Sequence, residues 1–390
     1  MNAAAAPFER GSQVAAKLRP WVVVTMVALF VGAWLQPERL AGALLLSAYY
    51  LVCLGLAGVV FIAIHYAAGA AWPVAFRRVP EAMAASLPLG GVAIWLVLLS
   101  RGWVYHWMET PEVAAAGGFR AFWLDPTFFL VRAFVYVGLW LGLTTLLLRN
   151  SRRQDADGRA CHTRKNAKIS AAFLVVFGFT FWLAGFDWIM SLEPHWYSTI
   201  FGIYQFAGLF LGGLAAIILL VNWMERLGPL RGLIREDHLH DLGKLLFAFS
   251  SFWMYIWFSQ YMLIWYANIP EEAGYYVIRT TGNWGTLFVA SMVLNWLAPF
   301  LILLPRKAKC HRTTLVRVAV IVLIGRWLDL YLMIMPALTP EAPLPGLPDT
   351  AGWLLATIVF ARAVLYSFGK AAPVPLQDPQ LRESLTYHSA

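Results

Sequence analysis

The chain has 390 residues, of which 60% are hydrophobic and only 13% charged, with a mean hydropathy of +0.63. A soluble domain carries about a quarter of its residues as charges, so a string of soluble domains is excluded and lipid is the main solvent of this chain. The net charge of +9 fits a nucleic-acid binder only if the basic residues share one soluble face, and three cysteines with no CxxC pair offer neither a disulfide framework nor a thiolate metal site.

At roughly 20 apolar residues per crossing, this length leaves room for about ten spans. The apolar runs predict helices over 21–35, 40–68, 84–107, 124–148, 169–190, 198–224, 242–269, 284–304, 314–337 and 351–368. Strands are a poor alternative, because the runs are long, do not alternate, and an open sheet edge cannot face lipid. The expected fold class is therefore an all-α integral membrane protein. A segment 1–20 precedes a membrane domain over 21–368, and a tail over 369–390 follows it. The opening twenty residues are long for a signal-peptide n-region and no small-residue cleavage site follows the first span, so that helix is expected to stay.

Lysine and arginine then orient the spans. Segments on one side carry 21 of them and segments on the other only 3, with seven in the stretch 149–168 alone. Both termini are accordingly expected in the cytoplasm, and the basic excess reads as orientation chemistry, with no nucleic-acid partner. The longest loops, near 108–122, 149–168 and 225–241, are too short to fold into a haem or iron–sulfur domain. Any redox centre must then sit on a partner.

Six basic residues fall within or at the edge of the spans: Arg101, Arg132, Lys244, Arg317, Arg326 and Arg362. Lys244 and Arg317 lie near cytoplasmic ends, where long side chains reach the headgroups. Asp241, three residues before Lys244, reads as the N-cap of the seventh helix. The deeper arginines each need a partner or a wet cavity, since a charge at the bilayer centre costs at least ~2.5–3.5 kcal/mol. Arg326 and Asp329 are three apart on one helical face and suit an ion pair. Arg362 lies mid-span in the last helix, and Asp329 is its expected partner.

By depth, Arg101 and His106 fall in the outer part of the third span, Asp125 and Arg132 in the outer part of the fourth, and Asp187 near the outer end of the fifth. The short loop that follows adds Glu193 and His195. His65, in the second span, lies instead toward the cytoplasm. An outer cluster of acids, histidines and arginines suits a molecule with a polar head and an apolar tail that exchanges protons there, and quinol has both properties. A rim of interfacial residues answering to water is the structural alternative. Trp103, Tyr105, Trp107, Trp123, Trp188, Trp196 and Tyr197 surround the same loops and read as an aromatic belt. Membrane haem needs paired axial histidines deep in a bundle, and only His65 qualifies, so no bound cofactor is expected.

Four segments together carry a family resemblance: HYAAGAAWPVAFRRVPEA (65–82), FDWIMSLEPHWYSTIFGIYQFAG (186–208), DLGKLLFAFSSFWMYIWFSQYMLIWYANIPEEAGYY (241–276) and RWLDLYLMIMP (326–336). The chain resembles the NrfD/PsrC-like membrane proteins and, more narrowly, the second quinone-binding-type membrane subunit of alternative complex III, a bacterial quinol:cytochrome c oxidoreductase. The resemblance implies ten helices in the bacterial inner membrane, as two four-helix bundles (about 40–190 and 198–337) plus two peripheral helices. It implies as partners a related NrfD-like membrane subunit, a periplasmic iron–sulfur subunit, c-type cytochrome subunits and a terminal oxidase, with haem and iron–sulfur centres on those partners. Ubiquinol or menaquinol would be the substrate.

On this reading Asp187, His195, Glu193, His106, Arg101, Asp125 and Arg132 are quinone or proton candidates, and His65, Lys244, Asp329 and Arg326 are candidates for an inner proton path. Alternatives are a scaffold with a degenerate quinone site, or the membrane subunit of another molybdopterin/iron–sulfur oxidoreductase of this type. A secondary transporter is a further alternative. It predicts helices broken at midplane, but Pro88 and Pro299 lie nearer span ends.

Overall fold

The computed structural model describes residues 9–108 and 118–388, and among them the regular elements are all helical. A short helix α1 (Glu9–Lys17) leads into α2 (Arg19–Leu35) and the 32-residue α3 (Pro37–Ala68). Then follow α4 (Arg78–Met83), α5 (Leu87–Leu99), α6 (Gly118–Trp123), α7 (Pro126–Asp157), α8 (Cys161–Trp188) and α9 (Phe201–Leu227). The rest of the chain forms α10 (Glu236–Ala267), α11 (Pro270–Thr280), α12 (Gly282–Met292), α13 (Ala298–Leu303), α14 (Arg306–Cys310), α15 (Arg312–Leu338), α16 (Leu347–Phe368) and α17 (Leu381–Leu385).

Nine helical segments among the described residues are long and apolar enough to cross a membrane, which makes this a multi-pass, all-α membrane protein. The remaining expected span, 242–269, is the unbroken helix α10, whose serines, glutamine, tryptophans and tyrosines dilute its hydropathy. Helix α10 also begins earlier than expected. Arg235 precedes its first turn, and its N–H donates to His238 Nδ1 (3.0 Å), so Asp241 lies inside the helix and is not its N-cap.

Helix α3 is the hub, packing against α4, α5, α8, α9, α15 and α16. Its most apolar stretch is wholly inside the protein. Close approach depends on missing side chains: a Cβ on Gly58 would lie 2.8 Å from Met83 Cβ and press on the Pro80 carbonyl. Pro37 in its first turn, where no N–H partner is needed, starts the helix. Gly69, at φ 64°, ends it in the left-handed conformation that a Cβ disfavours.

Two spans are interrupted. The third begins at Arg78, breaks at a 3-10 turn over Ala84–Ser86 and stops at Leu99, so Tyr105 and His106 lie beyond it in short turns. The eighth contains a π-helical turn over Val293–Leu297 just before Pro299. Pro299 has no N–H for the Asn295 carbonyl four residues back, and the Ser250 hydroxyl donates to that carbonyl instead, at 2.6 Å.

The basic stretch 149–168 is largely helical, with only 158–160 between α7 and α8. The tail is not loose either. It folds back over the 69–78 connection, where Arg77 pairs with Asp378 (2.7 Å) and Gln380 Nε2 donates to the Gly69 carbonyl (3.1 Å). Ser384 links both ways, accepting from the Ala75 N–H (3.0 Å) and donating to the Trp72 carbonyl (2.7 Å).

Candidate functional site

Asp187 lies in the last turn of α8 and is 1% exposed. A carboxylate so buried needs donors, and it has four hydrogen bonds. Arg132 on α7 donates twice, from Nε and Nη2 (both 2.9 Å), in the forked geometry that fits a carboxylate. The Tyr136 hydroxyl, one turn further along α7, donates at 3.0 Å, and Trp123 Nε1 on α6 at 2.9 Å. The Arg132 guanidinium is in turn held over the Trp123 and Phe128 rings, 4.1 and 4.4 Å from their centroids. Its Nη1 has no acceptor among the described residues.

A second constellation has the same chemistry. Asp329 on α15 accepts from Arg326 on its own helix, from the Tyr204 hydroxyl on α9 and from Trp253 Nε1 on α10 (3.2 Å). Each buried aspartate is thus held by one arginine, one tyrosine and one tryptophan. Arg326 Nη2 also donates to Gln205 Oε1 (3.2 Å), which accepts from the Tyr49 hydroxyl on α3 (3.3 Å). Gly208 makes the space for this arginine, since a Cβ there would run into its guanidinium.

Glu193, in the turn after α8, pairs with a residue that the hydropathy reading leaves in a loop. Arg279 on α11 is buried, donates to Glu193 Oε1 (2.6 Å) and to the Tyr275 carbonyl (2.8 Å), and lies 3.4 Å over the Tyr275 ring. That ring stacks on Trp196 at 3.8 Å. Burial pushes the Tyr275 phenol up to about 12 against the opposing pull of Arg279, which keeps the ring neutral between its neighbours.

The other candidates are not gathered with Asp187. Asp125 is exposed and caps α7, accepting from the Phe128 N–H (2.8 Å); the sequence Asp–Pro–Thr at a helix start is the signal for that role. His106 and His195 are exposed. Arg101 opens a 3-10 turn, and its side chain lies outside the described residues. His65 bonds through Nδ1 to the Phe61 carbonyl of its own helix (2.6 Å) and lies against Trp72. Lys244 is exposed and pairs with Asp241 (2.5 Å), which also accepts from the Tyr387 hydroxyl (2.6 Å). Arg362 does not meet Asp329: it has no ion pair among the described residues, and its buried Nε has no hydrogen-bond partner there.

Two further buried networks sit among residues that span counting places in loops. At the end shared with the tail, Glu81 pairs with Arg78 and accepts from Ser151 (2.7 Å), while Arg78 also reaches Asp155. Arg77 lies beside them. Burial pulls its pKa down, but Tyr66, Asp378 and Glu81 more than reverse this and hold it above the ordinary value. At the opposite end Arg39 joins α3 to α16 through Asp349 (2.5 Å) and donates to the Tyr331 hydroxyl (3.1 Å). The belt reading fails for Tyr105, Trp107, Trp188 and Trp196, which are buried, whereas Trp103 and Tyr197 are exposed.

No family model matches the chain, and no curated protein matches it either.

Proposed function

We propose that this chain is the membrane subunit of a respiratory quinol:cytochrome c oxidoreductase of the alternative complex III type. It would lie in the bacterial inner membrane with both termini cytoplasmic. Helices α3, α4–α5, α7 and α8 would form one four-helix bundle, α9, α10, α12–α13 and α15 the other, with α2 and α16 peripheral. The observation that carries the reading is where the buried polar contacts come from. The four segments on which the family resemblance rests supply Arg77, Arg78 and Glu81; Asp187, Tyr204 and Gln205; Asp241, Trp253 and Gln260; and Arg326 and Asp329.

In this reading, quinol binds near the end of the membrane that carries Asp187 and Glu193. It leaves as quinone, its two electrons passing to the iron–sulfur and c-type haem centres of partner subunits and its two protons to water. Arg132, fixed by Asp187, would supply a guanidinium for a quinol oxygen, and the exposed imidazoles of His106 and His195 would take up its protons.

A second reading, a scaffold with a degenerate quinone site, is favoured by the saturation of Asp187. With four hydrogen bonds already made, its carboxylate is a holder of Arg132 more than a base. Asp187→Asn in the intact complex separates the two. The quinol-interacting reading expects lower quinol:cytochrome c turnover with subunit composition retained, and unchanged turnover selects the scaffold.

A further inference from the structure

The tail that folds over the 69–78 connection also reaches the start of α10. Tyr387 donates to Asp241 (2.6 Å), and His388 lies 3.4 Å from both Asp237 and Arg235. Beneath this part of the tail is His238, which has no exposed surface. Its ring packs against Phe76 of the connection and Tyr387 of the tail, 6.0 and 5.7 Å between centroids. One imidazole is therefore enclosed by three segments that are distant in sequence.

Its bonding fixes its protonation state. The Arg235 N–H donates to Nδ1 (3.0 Å), so Nδ1 carries the lone pair, Nε2 the proton, and the ring is neutral. An imidazolium has two N–H groups and no acceptor. Protonation therefore breaks this cap on α10 and places a charge in a site closed to water. His238 precedes the expected span 242–269, and burial lowers its pKa, with Arg235 adding to the effect and the Ser384 backbone, Asp237 and Asp241 opposing it. Both carboxylates already have partners, Asp241 in Lys244 and Tyr387 and Asp237 in His388. Arg77, beside Phe76, is held by Asp378 and Glu81.

We propose that His238 makes the tail a pH-sensitive strap. While the imidazole is neutral, residues 378–388 stay fastened across the 69–78 connection and the start of α10. When it takes a proton, the ring leaves its enclosure and the tail detaches. The direction follows from linkage. The released state has an ordinary histidine pKa of about 6.5 and binds the proton more readily than the fastened one, so the hold is complete above that pH and weakens by up to about tenfold per unit below it. His388 has the opposite sign, because its protonation strengthens the contact with Asp237.

The test is hydrogen exchange of the full-length protein in lipid nanodiscs at pH 7.5 and 5.5, read by mass spectrometry as protection of 381–387 after correction for the intrinsic rate. In the wild type, protection falls up to about tenfold between the two values. His238→Gln keeps an acceptor for the Arg235 N–H but takes no proton, and it removes the fall, whereas His388→Gln leaves it in place. Exchange at the imidazole C2 position reads the titration midpoint of His238 itself. Asp378→Ala combined with Ser384→Ala frees the tail and raises that midpoint toward about 6.5. Protection independent of pH in the wild type, an equal fall in His238→Gln, or an unmoved midpoint in the double variant would each overturn the assignment.

Discussion

Arg279 donates from Nε to the carbonyl of Leu332 (2.8 Å), the carbonyl left without its usual helical partner because Pro336 has no N–H. Its Nη2 reaches the next carbonyl, Met333 (3.3 Å), as well as Glu193 (2.6 Å). One buried guanidinium therefore stitches α11, the turn after α8 and the proline site of α15 together. Arg279→Leu is expected to cost roughly 3 kcal/mol, near the lower end for breaking a buried pair. Thermal unfolding of the detergent-solubilised protein measures this. In a Pro336→Ala background, where an N–H returns for Leu332, the same substitution should cost less, and equal costs in the two backgrounds would contradict the link.

Gly208 and Arg326 form a tight steric pair. Gly208→Ala should destabilise by about 1–3 kcal/mol, the range for an overpacked core, because the guanidinium that would have to move is tied to Asp329 and Gln205. Gly138→Ala is the control, as a Cβ there meets nothing within 4 Å. Comparable losses at both positions would indicate a general sensitivity to helix glycines instead.

Asp329 and Arg362 should behave oppositely. Asp329→Asn leaves Arg326 buried beside a neutral amide and is expected to lower stability by about 3–5 kcal/mol. Arg362→Leu removes a charge with no ion pair among the described residues, and should leave the unfolding free energy within about 0.5 kcal/mol of wild type or improve it, with the yield kept. A large loss from Arg362→Leu would restore the pairing that depth in the sequence suggested.

The tail should act as a latch on the 69–78 connection. Asp378→Ala strips the nearer of two acidic partners from a buried Arg77 and should both lower the melting temperature and speed tryptic cleavage at Lys370 and Arg382. Cleavage at the wild-type rate would mean that the remaining contacts, through Gln380, Ser384 and Tyr387, hold the tail unaided.

How much of this was legible in the sequence depended on whether a residue's role follows from depth or from a distant neighbour. Nine apolar helices follow from hydropathy, and so does the placing of Asp187 and Arg132 on two of them, α8 and α7. Their meeting does not, because it depends on α7 and α8 being antiparallel neighbours in a given rotation. Arg39, Arg77, Arg78 and Arg279 counted only as orientation charges, since a linear scale cannot separate a connection that folds inward from one that faces water. Asp125 caps α7, a role that its local signal, an aspartate before Pro126, already carries. Trp188 and Trp196 lie at span ends as a belt would, yet they pack inward against Tyr49 and Tyr275.

The most direct test of a respiratory role is purification of the native protein in mild detergent, followed by a reduced-minus-oxidised spectrum and mass spectrometry of its companions. The account predicts c-type haem absorbance together with an iron–sulfur subunit and a related membrane subunit in stoichiometric amounts. A lone, colourless protein would contradict it.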